Sequence, residues 1–163
     1  MDCYANFAHG ADASTATLDP SLLVPNLASL DKIGAIKELV DRLHNGGYVQ
    51  DSLGFLQSVL ERETLQSTIL DEVALPHARC ASVNRMGLAL GVARPAIDYP
   101  SGDERTSVHV ICLLAVPADV SDAYLTTLSS LARIFSEPQF VSGLVESNSA
   151  EEVRDILLSK RVP

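Results

Sequence analysis

The sequence predicts a single α/β domain in which helices pack against a central sheet. Its 163 residues have the length of one ordinary domain, and 47% of them are hydrophobic, which is enough for a real core. Segments with helical apolar spacing stand before and after a group of strand-like segments. One of those segments, residues 108–116, is almost entirely apolar, as is typical of a strand covered on both faces.

Two helices are predicted ahead of the strands. Asp31 is a suitable N-cap for the first, and the glycine pair at 46–47 ends it. Asp51 opens the second, which we expect to fray near residues 62–63. The apolar positions with helical spacing are Ile33, Ile36, Leu39, Val40 and Leu43 in the first helix and, on the buried face of the second, Leu53, Leu56, Val59 and Leu60.

Three strand-like segments follow. Residues 73–75 form a short apolar run that stops at Pro76, which cannot donate to a strand ladder. Residues 86–92 alternate larger apolar residues with small ones, a period-two pattern. The third segment is the apolar run at 108–116.

Three further helices close the chain. Ser121 is the predicted cap of the first, and Pro138 suits the first turn of the second. Ser149 and Glu152 form a capping box for the last. The first two helices carry the apolar residues Leu125, Leu128, Leu131, Ala132, Ile134 and Phe135, and Phe140, Val141, Leu144 and Val145, while the last is expected to point Val153, Ile156 and Leu157 inward.

Composition narrows the class of protein. A net charge of −9 argues against a nucleic-acid surface, because phosphate contacts need a basic patch, and it suits a basic protein partner. No apolar run is long enough to span or insert into a membrane, and the N-terminus lacks the features of a secretory signal. Three sparse cysteines indicate free thiols in a reducing cytoplasm.

We expect residues 1–17 to form a flexible tail and residues 18–163 to form the domain.

His77 and Arg62 are the first candidates for chemistry, and local reasoning leaves both open. His77 should lie just past the end of a strand, where α/β proteins commonly place functional groups, and a neutral imidazole can act as a nucleophile. It could equally be an ordinary turn histidine. Arg62 near a helix end could simply favour the helix dipole, or its guanidinium could hold phosphoryl oxygens.

Two other kinds of site must be weighed. His77 with Cys80, and His109 with Cys112, have the spacing of paired zinc ligands. Positions three apart in a strand face opposite ways, however, so the second pair cannot reach one ion. A Cys80 nucleophile with His77 as base is also conceivable, but no third group is identifiable to orient that base.

Several motifs occur in an order that resembles a known family. The chain has a capped helix with Lys32 near its start, and then the segments GYV, LERE, ST, ALPHA and, after the apolar strand, YLTTLSSLA. Together they are similar to the enzyme IIA domain of the fructose/mannitol family of the bacterial sugar phosphotransferase system, which includes the nitrogen-regulatory IIA proteins. The resemblance runs from about residue 18 to the C-terminus.

The resemblance implies a central mixed β-sheet flanked by helices on both sides. It implies a phosphoryl acceptor at His77, loaded by the phosphocarrier protein HPr, and transfer to a IIB cysteine or use of the phosphoryl group as a signal. The matching phosphate-binding positions are Arg62, Ser67 and Thr68, and no metal or cofactor is implied. With no attached IIB or membrane module in the sequence, the nitrogen-regulatory branch is slightly favoured.

Two departures from the family pattern raise an alternative. The usual glycine-rich stretch before the PHA motif is replaced by residues 69–73, with two carboxylates that would repel an incoming phosphate. Tyr124 stands where many members have a second histidine, and a phenol can donate a hydrogen bond to a phosphoryl oxygen but carries no positive charge. The rival hypothesis is a regulatory interaction module of the same fold that has lost phosphoryl transfer.

Overall fold

The computed structural model describes residues 19–103, 105–120, 122 and 124–159. The predicted tail at 1–17 and the predicted cap Ser121 lie outside these residues. The helices are α1 (Lys32–Asn45), α2 (Ser52–Leu65), α3 (Tyr124–Phe135), α4 (Pro138–Glu146) and α5 (Ala150–Leu158). The strands are β1 (Leu23–Val24), β2 (Ile69–Leu70), β3 (Val73–Ala74), β4 (His77–Cys80), β5 (Gly87–Asp98) and β6 (Ser107–Pro117).

The strands form one mixed sheet built on β5 and β6, which pair antiparallel. The strand order is β1-β5-β6-β3-β2, and β4 also pairs with β6. β1 is parallel to β5, and both β3 and β4 are parallel to β6, whereas β2 and β3 form an antiparallel hairpin. The mixed sheet expected from the resemblance is therefore confirmed.

Helices cover both faces of the sheet, as predicted. Side chains of β6 alternate between two apolar clusters, with Ile111 and Leu113 on one face and Cys112 and Leu114 on the other. The first face packs against α1 and α2, and the second packs against α3, α4 and α5. Among the described residues, no helix is long and apolar enough to cross a membrane.

The predicted caps are largely confirmed. Asp31 and Asp51 accept from the backbone N–H groups three residues on, and Pro138 lies in the first turn of α4. Ser149 caps α5 by accepting from the N–H of Glu152, while the Glu152 carboxylate accepts from the N–H of Asn148 rather than of the cap itself. The predicted capping box is therefore present, except that Glu152 binds the N–H of the residue before the cap.

The prediction for α2 is wrong in two respects. Its buried stripe is Phe55, Val59 and Glu63, which leaves Leu53 on the opposite side and 64% exposed. The helix does not fray near residues 62–63 but continues to Leu65, because Glu63 lies on the buried stripe and binds partners from other elements. Carboxylates are rarely buried unless paired, so the sequence does not reveal that Glu63 belongs to the core side of the helix.

The strands are more numerous and longer than the pattern suggested. β5 continues to Asp98 through an irregularity between Val92 and Ile97, which breaks the alternation that would have revealed it. β1, β2 and β4 were not predicted, because runs of two to four residues carry no clear period. His77 is therefore not in a turn but is the first residue of a paired strand.

Candidate functional site

His77 lies where the pairing with β6 is interrupted and then resumes. β3 ends at Ala74, and Pro76 lacks an N–H, but the carbonyl of Pro76 still accepts from the N–H of Leu114 at 3.1 Å. The ladder continues with His77 opposite Leu114. The pairing with β6 is thus interrupted only at Leu75 and Pro76, and His77 is held in a paired strand.

A backbone hydrogen bond selects the tautomer of His77. Its Nδ1 lies 3.0 Å from the carbonyl oxygen of Leu75, and a carbonyl can only accept, so Nδ1 carries the proton. In the neutral ring, Nε2 then holds the lone pair and is the nucleophilic atom.

The surroundings of His77 favour the neutral ring. Burial lowers its pKa below the usual 6.5, and the carbonyl of Leu75 opposes that shift by accepting a hydrogen bond. The positive charge of Arg62 lowers the pKa further, while the negative charge of Glu63 raises it. The net shift is downward, so the ring is mostly uncharged and nucleophilic near neutral pH.

A cleft of about 300 Å³ opens beside the imidazole. It lies between the end of α2, the β2–β3 hairpin, the start of β4 and the middle of α3. Its lining residues are Arg62, Gln66, Ser67, Thr68, Ile69, Leu70, Leu75, His77, Leu128, Ser129 and Ala132. The structure thus brings His77, Arg62, Ser67 and Thr68 together, as the resemblance implied, and adds Ser129, which lies in the YLTTLSSLA motif but was not singled out as a site residue.

Arg62 presents a cation to this cleft. It lies in the last turn of α2, and its Nη1 donates to the carbonyl of Gln66 at 3.3 Å, so it also serves the helix end. Within the described part of the chain, no carboxylate forms an ion pair with it. The remaining N–H groups of the guanidinium can therefore bind an anion.

Ser67 and Thr68 differ in what their hydroxyls can offer. The Thr68 Oγ1 donates its single proton to Oε2 of Glu63 at 2.6 Å. The Ser67 Oγ instead accepts from the N–H of Ile69 at 3.2 Å, which leaves its own proton available. Of the pair, Ser67 is the side chain suited to donate to an anion in the cleft.

Sequence reasoning missed the buried carboxylate that lies behind the cleft. Glu63 is 5% exposed, and its Oε1 lies 3.2 Å from the Lys32 Nζ and accepts from the Tyr99 hydroxyl at 3.0 Å. The ammonium of Lys32 also stands 4.5 Å from the centre of the Tyr99 ring. Burial and the adjacent Glu63 carboxylate raise the pKa of Tyr99, so its hydroxyl stays protonated and donates. Because Lys32, Glu63 and Tyr99 are far apart in the sequence, their cluster becomes visible only in the folded structure.

A larger cavity of about 540 Å³ lies on the other side of Glu63. It is lined by Lys32, Leu60, Thr64 and residues around Pro100, and His77 is not part of it. Its wall is mainly apolar, and Lys32, Glu63 and Thr64 there already bond to one another or to the backbone. The smaller cleft, which contains the nucleophile and the cation, is therefore the candidate site.

Tyr124 does not line the cleft. Its ring lies one helical turn before Leu128 and stacks with Arg79, whose guanidinium carbon is 5.3 Å from the ring centre. The Arg79 guanidinium also donates to the carbonyl of Val120. Tyr124 as a phosphate-binding residue therefore stays a prediction.

The two carboxylates that replace the glycine-rich stretch do not line the cleft either. Residues 69–73 form the β2–β3 hairpin, with Asp71 at a φ of 52° in its turn. Asp71 and Glu72 line a separate cavity together with Phe135 and Pro138. Repulsion of an incoming phosphate is therefore weaker than the sequence suggested.

The thiol and zinc alternatives receive no support from the geometry. The Cys80 Sγ lies 2.9 Å from the Ser82 Oγ and packs with the cluster under α1 and α2, on the face of β4 opposite the cleft. The Nδ1 of His109 binds the carbonyl of Ala93, while Cys112 is buried under α3 to α5. Across the part of the chain that the structure describes, no three histidine, cysteine or acidic side chains gather as metal ligands would.

Comparison with known proteins identifies the family. Residues 16–160 match the family described as "Phosphoenolpyruvate-dependent sugar phosphotransferase system, EIIA 2". The chain belongs to this EIIA 2 family.

Individual relatives agree with that assignment. The fructose-specific EIIABC component of Bacillus subtilis is 29% identical over 133 residues, or 81% of this chain, and the match spans only 21% of the length of that relative. The structure of the nitrogen regulatory protein IIA-Ntr from Neisseria meningitidis is 29% identical with a TM-score of 0.75, covering 85% of this chain and 94% of the other. The Escherichia coli complex of mannitol IIA with phosphorylated IIB shows the same fold at 18% identity and a TM-score of 0.69, covering 85% of this chain and 95% of that one.

Proposed function

We propose that this EIIA 2 protein accepts a phosphoryl group on His77 from an HPr-type phosphocarrier and passes it to a IIB cysteine or uses it as a regulatory signal. The observation that carries the proposal is the pairing of a neutral, tautomer-fixed imidazole with the Arg62 cation in one open cleft. The family assignment supports the class of reaction.

The transfer step follows from the tautomer of His77. The lone pair of Nε2 attacks the phosphorus of a protonated phosphohistidine (a phosphoimidazolium) on the donor, and the donor's P–N bond breaks, with its electron pair returning to the donor ring, which leaves as a neutral imidazole. The proton on Nδ1 stays in its hydrogen bond to the carbonyl of Leu75, so His77 becomes a phosphoimidazolium. That positively charged ring is a good leaving group, and a thiolate of a recipient can therefore take the phosphoryl group in the next step.

The protein contributes mainly position and charge, because phosphoryl transfer has a loose transition state. Arg62 supplies a planar cation for the equatorial oxygens, and Ser67 supplies a hydroxyl proton. Tyr124 is a further candidate donor to a phosphoryl oxygen, although it does not line the cleft and its ring contacts Arg79. The chemistry uses no cofactor in this proposal, and it places the protein in the cytoplasm, where the phosphorylated donors occur.

The partners in this proposal are an HPr-type donor and a IIB domain or regulatory target. The mannitol complex is of a IIA with a phosphorylated IIB, which supports the recipient class. Both the fructose and the nitrogen-regulatory branches are represented among the relatives at 29% identity, so both kinds of recipient are consistent with the family.

Reconstitution tests the proposal directly. The purified protein is incubated with phosphoenolpyruvate, enzyme I and HPr, and its intact mass is measured. We expect one added phosphoryl group that is stable at alkaline pH and lost in acid, as a phosphohistidine is. If an active donor system leaves the mass unchanged, the carrier assignment is overturned in favour of the regulatory interaction module.

The lowered pKa of His77 predicts the pH dependence of acceptance. Because the folded-state pKa lies below 6.5, more than half of the rings remain neutral at pH 6.5, and the rate should decline only as the pH falls further. An NMR titration of the His77 ring should give a midpoint below 6.5 that coincides with the acid limb of the rate profile. A midpoint above 6.5 would contradict the described environment of the ring.

Replacing Ser67 with alanine should slow acceptance moderately. Loss of one neutral hydrogen-bond donor costs about 0.5–1.5 kcal/mol, or roughly a two- to thirteenfold lower rate. The matched control is Ser136→Ala, because that hydroxyl donates to the carbonyl of Ala132 and lies outside the cleft. Equal rates for the two variants would remove Ser67 from the proposed site.

A further inference from the structure

The Glu63 carboxylate occupies a position that the fold alone would fill with an apolar residue. It continues the buried stripe of Phe55 and Val59 on α2 and faces the same core. Burying an ion pair such as Lys32–Glu63 often stabilises a protein no more than a well-packed apolar pair of similar size. The buried charge of Glu63 therefore indicates a role other than stabilising the fold.

A continuous hydrogen-bond path leads from Glu63 to the acceptor. Its carboxylate holds the Thr68 hydroxyl at 2.6 Å, and the backbone carbonyl of Thr68 accepts from the N–H of Leu75 at 3.0 Å. The carbonyl of Leu75 in turn holds the Nδ1 of His77 at 3.0 Å. Any shift of Thr68 would therefore be felt at the bond that fixes the tautomer of His77.

The partners of Glu63 also determine what Arg62 can do. The two residues are adjacent in sequence and opposite in charge, yet Arg62 forms no ion pair within the described part of the chain. Glu63 is occupied at both oxygens, by Lys32 and Tyr99 at Oε1 and by Thr68 at Oε2. A Glu63 that lost these partners would attract the guanidinium and compete with the phosphoryl group for it.

We propose that Glu63 is a positioning residue for phosphoryl acceptance, held by Lys32 and Tyr99 so that it fixes Thr68 and leaves Arg62 for the incoming phosphoryl group. The proposal rests on the proposed function. Lys32 is the informative place to test it, because its side chain is only 14% exposed, lines the larger cavity and does not line the cleft. Its ammonium contacts Glu63, the Tyr99 ring and the carbonyl of Pro100, and none of these three residues lines the cleft.

The test measures kcat and the KM for phospho-HPr first in two variants of the full chain. Lys32→Met should lower kcat by about tenfold or more, since small displacements of positioning groups have effects of that size. The KM should stay unchanged, because neither Lys32 nor Glu63 offers an exposed surface to the donor. The double variant Lys32→Met with Glu63→Gln should recover most of kcat, because it removes the unpaired carboxylate while the amide oxygen still accepts from Thr68.

Two further variants keep the test decisive. Lys37→Met is the matched control, since Lys37 is on the same helix and pairs with Asp41 on the surface, and it should transfer at the wild-type rate. Tyr99→Phe removes one hydrogen bond to Glu63 without changing charge, and it should lower kcat severalfold. If Lys32→Met does not fold, the kcat of Tyr99→Phe alone tests the role of Glu63.

The outcomes separate this inference from the proposed function. A wild-type protein that accepts no phosphoryl group overturns the proposed function itself. Acceptance by the wild type, with unchanged kcat in folded Lys32→Met or Tyr99→Phe, overturns only the role of Glu63. A double variant as slow as Lys32→Met alone also overturns it, because Lys32 would then act without Glu63.

Discussion

Replacing His77 with alanine should abolish the phosphoryl adduct completely. The variant has no Nε2 to form the P–N bond, and no other described nucleophile lines the same cleft with a lowered pKa. Intact mass after incubation with phosphoenolpyruvate, enzyme I and HPr should show the unmodified protein only. We expect the variant to fold, because the ring is half-buried at the edge of the cleft and its one hydrogen bond goes to the neighbouring Leu75 carbonyl.

His109→Ala is a closely matched control for this prediction. That histidine is also half-buried in a strand, and its Nδ1 also lies 3.0 Å from a backbone carbonyl, that of Ala93. It lies outside the cleft, so the variant should still gain one phosphoryl group. An adduct that persists in His77→Ala and disappears in His109→Ala would show that the acceptor is His109 and would contradict the assignment to His77.

Neutralising Arg62 should produce the second largest effect. Arg62→Gln removes the cation that faces the developing charge on the phosphoryl oxygens, and removing a preorganised donor of this kind costs about 2.7–4 kcal/mol, or roughly a hundred- to thousandfold in rate. Arg62→Lys keeps the charge without the planar fork and should fall between Gln and the wild type. Single-turnover transfer from phospho-HPr measures the effect.

Arg42→Gln provides the control for Arg62. Arg42 lies in the last turn of α1 and donates to a backbone carbonyl, that of Ser21, much as Arg62 donates to Gln66 at the end of α2. Its substitution removes the same charge from the same kind of helix end, and Arg42 does not line the cleft. Equal rates for the Arg42 and Arg62 variants would show that the helix end, and not the cleft, explains Arg62.

The fold was predictable where periodicity is long and much less so where elements are short. Helices of nine to fourteen residues reveal their buried face through repeated spacing, and their caps are marked by single polar residues such as Asp31 and Asp51. β1 contains only two residues, and its existence depends on pairing with the distant strand β5. That information is not local to the sequence.

The candidate site was predictable from the sequence only for those residues that belong to a family motif. His77, Arg62, Ser67 and Thr68 meet in one cleft. Glu63 was not predicted, because a single glutamate between polar neighbours on a helix is far more often exposed. Its role depends on Lys32 and Tyr99, which are 31 and 36 residues away along the chain.

The placement of His77 on a paired strand has a consequence for how partners meet this protein. The imidazole is tethered to β4 by its backbone and to Leu75 through Nδ1, so it cannot swing from one surface to another while loaded. Under the proposed function, a donor and a recipient would each have to approach the same atom through the same opening. We therefore expect them to exclude one another, so that a relay would proceed by alternating visits, in a ping-pong sequence, and not through a three-protein assembly.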